Sequence, residues 1–374
     1  MKRVAMCMTA SVRSTPEGSY TPALADLVQR LSAYVDLTVL TVIPPSGDTE
    51  PYRCGDADVS IVPVRYDDSL MLRALRFTRA FLTLHRSHPF DLVHGFWGTP
   101  TGLAAVISGR RAGVRSIVTL QGGEAASLPS IRYGNMSRLS TKMLTLWVCR
   151  RATALTALTQ FQADAMKLHG LKREVDIIPY GAPDPFFCAD TRREASTPLK
   201  LLHVADLNRV KDQATLLKAF RIISSRIDSR LTIAGHDQLD GEIERLAEEL
   251  GVRDKVAFLG HVHHERLPSL YSSADFLLHT SLYEAQGVVI SEAFAAGSVV
   301  CGTRVGLIAD LNGTCALGVP PGDHQALAES VVALAENPRR YREIQHAAKS
   351  WAERHNAAWT AGEFLKLYQK VLNF

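Results

Sequence analysis

No apolar run in the 374 residues approaches the roughly 18 needed to cross a bilayer, so no spanning helix is expected. The six cysteines, at positions 7, 54, 149, 188, 301 and 315, include no C-x-x-C pair and lie within or beside apolar segments, which argues against a disulfide framework and a zinc site. The expected compartment is the reducing cytoplasm, with the chain either free there or held peripherally on the inner face of a membrane. The opening "MKRVAMCMTASV" imitates a short signal peptide but runs into a Pro/Gly/Ser turn, and it reads as a first strand. No basic run interleaves with exposed aromatics, which excludes nucleic acid as an expected partner. Ser/His/Asp, Cys/His and metal-ligand constellations with convincing spacing are also missing. "HVHHE", residues 261–265, has no partner cluster and reads as structural or solvated.

What is there is a repeated rhythm and an uneven charge. Residues 1–184 carry 21 Lys and Arg against 15 Asp and Glu, and the remainder carry 21 against 23. A basic first half points to an anionic surface such as a membrane, a lipid phosphate or an acidic saccharide. Short β-rich runs alternate with helical patterns: "VAMCMT", "LTVLTV", "DLVHGF" and "SIVTL", then "LKLLHVA", "RLTIAG", "KVAFLG" and "ADFLLHT". This predicts an α/β protein of two doubly wound, Rossmann-like domains with parallel sheets, at 1–184 and 185–355. "PYGAPDPFFCADTRREASTP", residues 179–198, reads as the linker between them. A last helical stretch at 356–374 can pack on either domain, the first being the expected one. Two such domains create a cleft at the carboxyl ends of their strands, where open α/β sheets bind ligands.

The loops leaving those strands hold the candidate site. "SLYEAQGVVISEAFAAG", residues 281–297, puts Glu284 in a loop and Glu292 on the second turn of the helix that follows. A helix N-terminus suits a phosphate, and Gly287 lets the chain approach it closely. The carboxylates would then accept hydrogen bonds from hydroxyls, one of a ribose and one of a sugar; taken in isolation they read rather as a solvated helix residue and a loop charge. "LLHVADLNRVKDQATLLKAF", residues 201–220, brings Arg209 and Lys211 to a strand exit, where a guanidinium and an ammonium would neutralise a diphosphate leaving group. The loop at Gly260 to Val262 offers backbone groups and an apolar wall to a nucleobase. "HGFWG", residues 94–98, makes His94 and Trp97 candidates for an acceptor pocket, with core packing the other reading of Trp97.

Residues 201–320 resemble the donor-binding half of a retaining glycosyltransferase of family 4, a GT-B family. The likeness runs through the Lys211 segment, "FLGHVHHERLPSLYSSADFLLHTSLYEAQGVVISEAFAAGSVVCGTRVG" and "GVPPGDHQALAES". It extends to the first half through "PEGSYTPALADLVQRL", "DLVHGFWGTPTGL", "VTLQGGE" and "VDIIPYGAPDPFF". The resemblance implies that Glu284 contacts the transferred sugar, Glu292 the ribose, and Lys211, helped by Arg209, the diphosphate. Val262, Gln286, Gly287 and Val288 fall in the donor-binding loops, and Gly18 and Ser19 form a loop over the donor. It further implies transfer with retention and no required metal or cofactor, the departing phosphate taking the acceptor's proton. Three positions depart from the family: Gln121 replaces a sugar-touching histidine, Ala205 and Asp206 replace a glycine-arginine pair, and Ser19 replaces a second glycine.

The implied function is transfer of a sugar from a nucleoside-diphosphate-sugar to a saccharide, lipid-linked or small-molecule acceptor, in cell-surface polysaccharide or glycolipid assembly. The alternatives are a GT-B nucleotide-sugar epimerase and a non-catalytic nucleotide-sugar-binding homologue. "SLMLRALRFTRAFLTLHRSH", residues 69–88, projects as a helix with Arg73, Arg76, Arg79 and Arg86 on one side and Leu75, Phe81, Leu82 and Leu84 largely on the other. Either it is a crossover helix with solvated arginines or it lies on an anionic membrane and brings a lipid-linked acceptor to the cleft. "RLSTKMLTLWVCRR", residues 138–151, is a second basic stretch.

Overall fold

Residues 1–13, 21–42, 50–65, 67–187 and 195–373 are described by a computed structural model, and Gly18, Ser19 and Cys188 lie outside them. In chain order the first part forms β1 (Arg3–Cys7), α1 (Pro22–Ser32), β2 (Asp36–Val42), β3 (Tyr52–Cys54), β4 (Ala57–Val62) and α2 (Leu70–Ser87). It continues through β5 (Leu92–Phe96), α3 (Leu103–Ala112), β6 (Arg115–Thr119), α4 (Leu139–Arg151), β7 (Ala154–Ala157), α5 (Gln160–Leu168) and β8 (Asp176–Ile177). The second part forms β9 (Leu199–Val204), α6 (Gln213–Arg226), β10 (Ser229–Ala234), α7 (Glu242–Glu249), β11 (Val256–Phe258), α8 (Leu267–Ser273) and β12 (Phe276–His279). Then come α9 (Val288–Ala296), β13 (Val299–Thr303), α10 (Gly306–Asp310), β14 (Ala316–Val319), α11 (His324–Ala335), α12 (Pro338–Arg354) and the final helix α13 (Ala357–Leu372).

The chain divides into two units, Met1–Pro179 with Ala357–Phe374, and Tyr180–Asn356. The first holds an eight-stranded sheet in the order β3-β4-β2-β1-β5-β6-β7-β8, and the second a six-stranded sheet in the order β11-β10-β9-β12-β13-β14. Parallel pairing prevails, as the alternating pattern requires, except that β3 runs antiparallel to β4 at one edge. The three-residue strand Tyr52–Cys54 turns back tightly on β4 and has no crossover helix, so the expected all-parallel first sheet ends in a hairpin.

Both faces of the second sheet are covered, and its strands send alternate residues to separate cores. Leu201, Phe276, Leu278, Val299 and Cys301 point into one cluster with α6 and α11. Leu202, Leu277 and Val300 point into the other, with α9 and Trp351 of α12. This is why the runs read as continuous apolar segments rather than as alternation.

The boundary differs from the expected one. Residues 180–187 do not form a linker, because Ala182 and Phe186 are buried in the second unit's core and the Phe186 ring lies 5.9 Å from that of Tyr271. The first unit therefore ends at Pro179 rather than Asp184. The last helix returns to the first unit, where the Phe364 ring lies 6.3 Å from Phe96 and the Tyr368 hydroxyl lies 2.8 Å from Nδ1 of His94. Burying two aromatic side chains of this size contributes roughly 3–6 kcal/mol before entropy.

Helix α2 also departs from its projection. Ala74, Phe77, Thr78 and Phe81 are the buried residues, while Leu75 is exposed beside Met71 and Leu72. Arg76 is held by an ion pair with Asp68, so the outward face is mixed apolar and basic instead of purely basic.

Candidate active site

In the second unit the strand order reverses between β9 and β12, and the loops leaving these two strands carry Lys211 and Glu284. Such a reversal opens a crevice at the carboxyl edge of a sheet. The two loops are tied to each other: Thr280 Oγ1 donates to the Lys211 carbonyl at 2.9 Å, and the Leu282 N–H donates to the Val210 carbonyl at 2.7 Å. Asp212, at φ 49°, caps α6 by accepting from the Thr215 N–H and so fixes the turn just after Lys211.

Glu284 is the hub of this site. Its Oε1 accepts from Lys211 Nζ at 2.5 Å and Ser281 Oγ at 2.7 Å, and lies 3.2 Å from His279 Nε2. Burial works to raise its pKa, but the Lys211 ammonium and the bonds from His279 and Lys211 outweigh it, holding the carboxyl well below the usual carboxylate range. The three donors all converge on Oε1. Oε2 thus keeps its acceptor capacity, and Lys211 keeps donors beyond the one given to Glu284. His279, Thr280 and Ser281 escape sequence reading because nothing in their spacing distinguishes them from the strand end they occupy.

Glu292 is not the solvated residue that an isolated helix position suggests. It is 4 % exposed, with Tyr271 Oη donating to Oε2 at 2.9 Å and His264 Nε2 lying 2.8 Å from Oε1. Burial, and then the Glu292 carboxylate, push the Tyr271 phenol well above its ordinary value, so that Tyr271 remains a donor. Of the "HVHHE" histidines, His264 is therefore structural, packing on Phe186 at 5.0 Å between ring centroids.

Gly287 opens α9 at φ 80°, with no side chain capping the helix, and a Cβ there would meet Ile290 Cδ1 at 2.8 Å. The Ile290 N–H turns back to the Gly287 carbonyl at 2.9 Å, so the N–H groups of the first turn without an intrahelical acceptor are those of Val288 and Val289. Val262 is half-buried against the core cluster containing Ile290 and Phe294.

Two expected assignments change, those of Gln286 and His94. Gln286 does not present its amide to a ligand: it is 1 % exposed, accepting from the Tyr180 N–H at 2.8 Å and donating to the Tyr180 carbonyl at 2.7 Å and Ser291 Oγ at 3.0 Å. It is a clamp on the chain entering the second unit. Gln286→Ala removes both of these buried bonds to the Tyr180 backbone and the one to Ser291, and it is expected to destabilise this unit by about 2–3 kcal/mol in urea unfolding. Arg209 is on the surface in a two-pronged pair with Glu242, both contacts 2.6 Å. His94 does not line a pocket, since it is fully buried within β5, with Nδ1 2.8 Å from Tyr368 Oη and Nε2 2.7 Å from Thr119 Oγ1. Desolvation lowers its pKa to about 3, so it is a neutral core histidine.

Asp206 turns its carboxylate aside, accepting from the His236 N–H at 3.0 Å and tying down the loop after β10. In the first unit, Trp97 has φ 68° and follows β5, at the edge where that sheet's order reverses next to β1. Glu124, which the sequence does not single out, organises this edge. Its buried carboxylate accepts from the N–H groups of Gly98 at 2.9 Å, Gln121 at 3.2 Å and Gly122 at 2.7 Å, joining the loops that carry Trp97 and Gln121. Among the described residues no group of three or more His, Cys, Asp or Glu could hold a metal ion.

The family described as "Glycosyl transferases group 1" matches residues 190–351, and "Glycosyl transferase 4-like domain" matches residues 18–181. An uncharacterised glycosyltransferase of Methanocaldococcus jannaschii is 41 % identical over 106 residues, 28 % of this chain and 27 % of its own length. The 2-deoxystreptamine glucosyltransferase of Streptomyces kanamyceticus is 24 % identical over 318 residues, covering 77 % of this chain and 80 % of that protein. The chain thus spans about a quarter of one curated relative and four fifths of the other. Anabaena HepE, solved in complex with UDP-glucose, superposes over 98 % of this chain and 99 % of its own with a TM-score of 0.75 at 18 % identity. The chain belongs to the group 1 glycosyltransferases: it is an enzyme of the GT-B fold with a glycosyl transferase 4-like first domain and a group 1 second domain.

Proposed function

We propose that the enzyme transfers a sugar, with retention, from a nucleoside-diphosphate-sugar to a saccharide, lipid-linked or small-molecule acceptor in the assembly of a cell-surface polysaccharide or glycolipid. The observation that carries this reading is the Glu284 hub, a carboxylate kept ionised with one oxygen saturated by Lys211, Ser281 and His279 and the other available to a sugar hydroxyl. Lys211 binds the diphosphate, the Gly287 and Val288 N–H groups supply further donors, and Glu292 receives the ribose. Gln121, held at its backbone by Glu124, contacts the sugar as an amide and transfers no proton. Arg209 leaves Glu242 to reach the diphosphate only at the loss of a bidentate pair, so Lys211 carries that role. The UDP-glucose complex of HepE and the glucosyltransferase relative support a sugar-nucleotide donor.

Calorimetric titration with UDP, GDP, ADP, dTDP and their common sugar conjugates tests the donor. Selective binding of one nucleotide, tighter for its sugar conjugate, is expected; a folded protein that binds none would overturn the reading. Product analysis with donor alone distinguishes transfer from epimerisation, and the anomeric configuration of the transfer product checks retention.

A further inference from the structure

The helices α2, α3 and α4 of the first unit pack in sequence, α2 against α3 and α3 against α4. They connect strands that step in one direction across the sheet, so right-handed crossovers set all three on the same face. Their outward surface has an unusual composition. On α4 the exposed positions Leu139, Met143 and Trp147, which are 73 %, 63 % and 36 % exposed, recur every fourth residue and form one stripe. On α2, Met71, Leu72 and Leu75 are likewise exposed, at 60 %, 36 % and 38 %. On α2 the apolar residues occupy the first two turns, whereas on α4 the stripe runs from the first turn to Trp147 in the third; exposed arginines follow on both, Arg79 and Arg86 on α2 and Arg150 and Arg151 on α4, Arg150 also donating to the Gly170 carbonyl at 2.9 Å. Between them α3 is largely buried and ends in the exposed pair Arg110 and Arg111.

Two apolar ridges, roughly 20 Å apart from ordinary helix spacing, are thus set in a basic surround. Helices of a parallel sheet start at the carboxyl edge of the strands, so the first-turn residues Met71, Leu72 and Leu139 lie nearest the edge that carries Trp97, and the α4 stripe runs from there along the face to Trp147. Large exposed apolar patches mark interaction sites, and the arginines select what covers this one. A second copy meeting it through a two-fold axis would bring the arginines together, whereas anionic lipid headgroups neutralise them while the apolar side chains enter the acyl boundary. We infer that the α2–α3–α4 face of the first unit is a docking surface for an anionic lipid bilayer, with Leu139, Met143 and Trp147 as its principal inserting residues.

The test is flotation of the full chain with vesicles of phosphatidylcholine alone and of phosphatidylcholine mixed with phosphatidylglycerol. Binding to the mixed vesicles, weakened by salt and nearly absent on neutral ones, is expected. Leu139→Asp with Met143→Asp, both at exposed positions, should lower partitioning at least about tenfold with an unchanged thermal midpoint, and Arg79→Glu with Arg86→Glu should do so in proportion to the anionic lipid. Failure of the unaltered chain to float, or equal flotation by the variants, overturns the proposal. A concentration-dependent dimer in sedimentation that the Leu139/Met143 variant abolishes would overturn it too, assigning the face to a second copy. The readout uses no nucleotide or sugar, so it stands or falls apart from the assignment of the donor.

Discussion

Replacing Lys211 with alanine is expected to weaken nucleoside-diphosphate binding by about 10- to 100-fold, the loss typical of a charge-assisted contact to phosphate. The companion Glu284→Ala should reduce sugar-nucleotide binding or turnover by a similar factor while leaving bare nucleotide binding much less affected. The difference follows from geometry: the ammonium sits at the exit of β9, whereas Glu284 keeps Oε2 for a hydroxyl. The Lys211 variant also leaves Glu284, whose side chain is 13 % exposed, without its ammonium partner. A stability loss of about 2–3 kcal/mol is expected, below the 3–5 kcal/mol of a fully buried broken pair. Calorimetry on the folded variants separates the two effects. Unchanged nucleotide affinity in Lys211→Ala would refute its phosphate role, and equal losses for nucleotide and sugar nucleotide in Glu284→Ala would refute the sugar contact.

Acid is expected to destabilise both units well before the carboxylates are protonated. His94 in the first unit and His203 in the second are fully buried, and desolvation lowers each to about 3. In the unfolded chain each takes up a proton near pH 6.5, so between that pH and the folded value the unfolded state binds more protons and stability rises with pH. The neutral histidines contribute nothing unfavourable above about pH 7; at pH 4 each costs about 3 kcal/mol, one per unit. Glu284 acts in the same direction lower down: its contribution is complete above the unfolded carboxylate value of about 4.3 and drains away below it. Thermal scans from pH 7 to 4 should show the unfolding midpoint moving down. A midpoint independent of pH over that range would contradict the neutral buried state of these histidines.

Much of this was legible before the fold was known. The eight quoted β-rich runs correspond to β1, β2, β5, β6, β9, β10, β11 and β12, because buried parallel strands concentrate apolar residues in short blocks. Sequence reading does not single out β3, β4, β7, β8, β13 and β14: β3 and β8 are two or three residues long, and "ALTA" and "ALGV" carry too little apolar bulk to be told from helix. Leu75 illustrates a different failure. Helical projection assigns faces by hydropathy, but the smaller Ala74 and Thr78, with Phe77 and Phe81, are what fits against the sheet.

The amino-acid sequence by itself determined the family, the two-unit α/β architecture and the placing of Lys211 and Glu284 on strand-exit loops, because strand exits and glycine-opened helices are local patterns. Only the tertiary structure decided what long-range packing controls. It made His94 a core residue bound to Tyr368 of the last helix, and it turned Gln286 into a clamp on Tyr180. It set Asp206 against His236 and saturated Glu284 Oε1 from three directions. In each case the partner lies on another element or across a loop, and the burial that fixes the side chain's charge and hydrogen bonds exists only once those elements have packed.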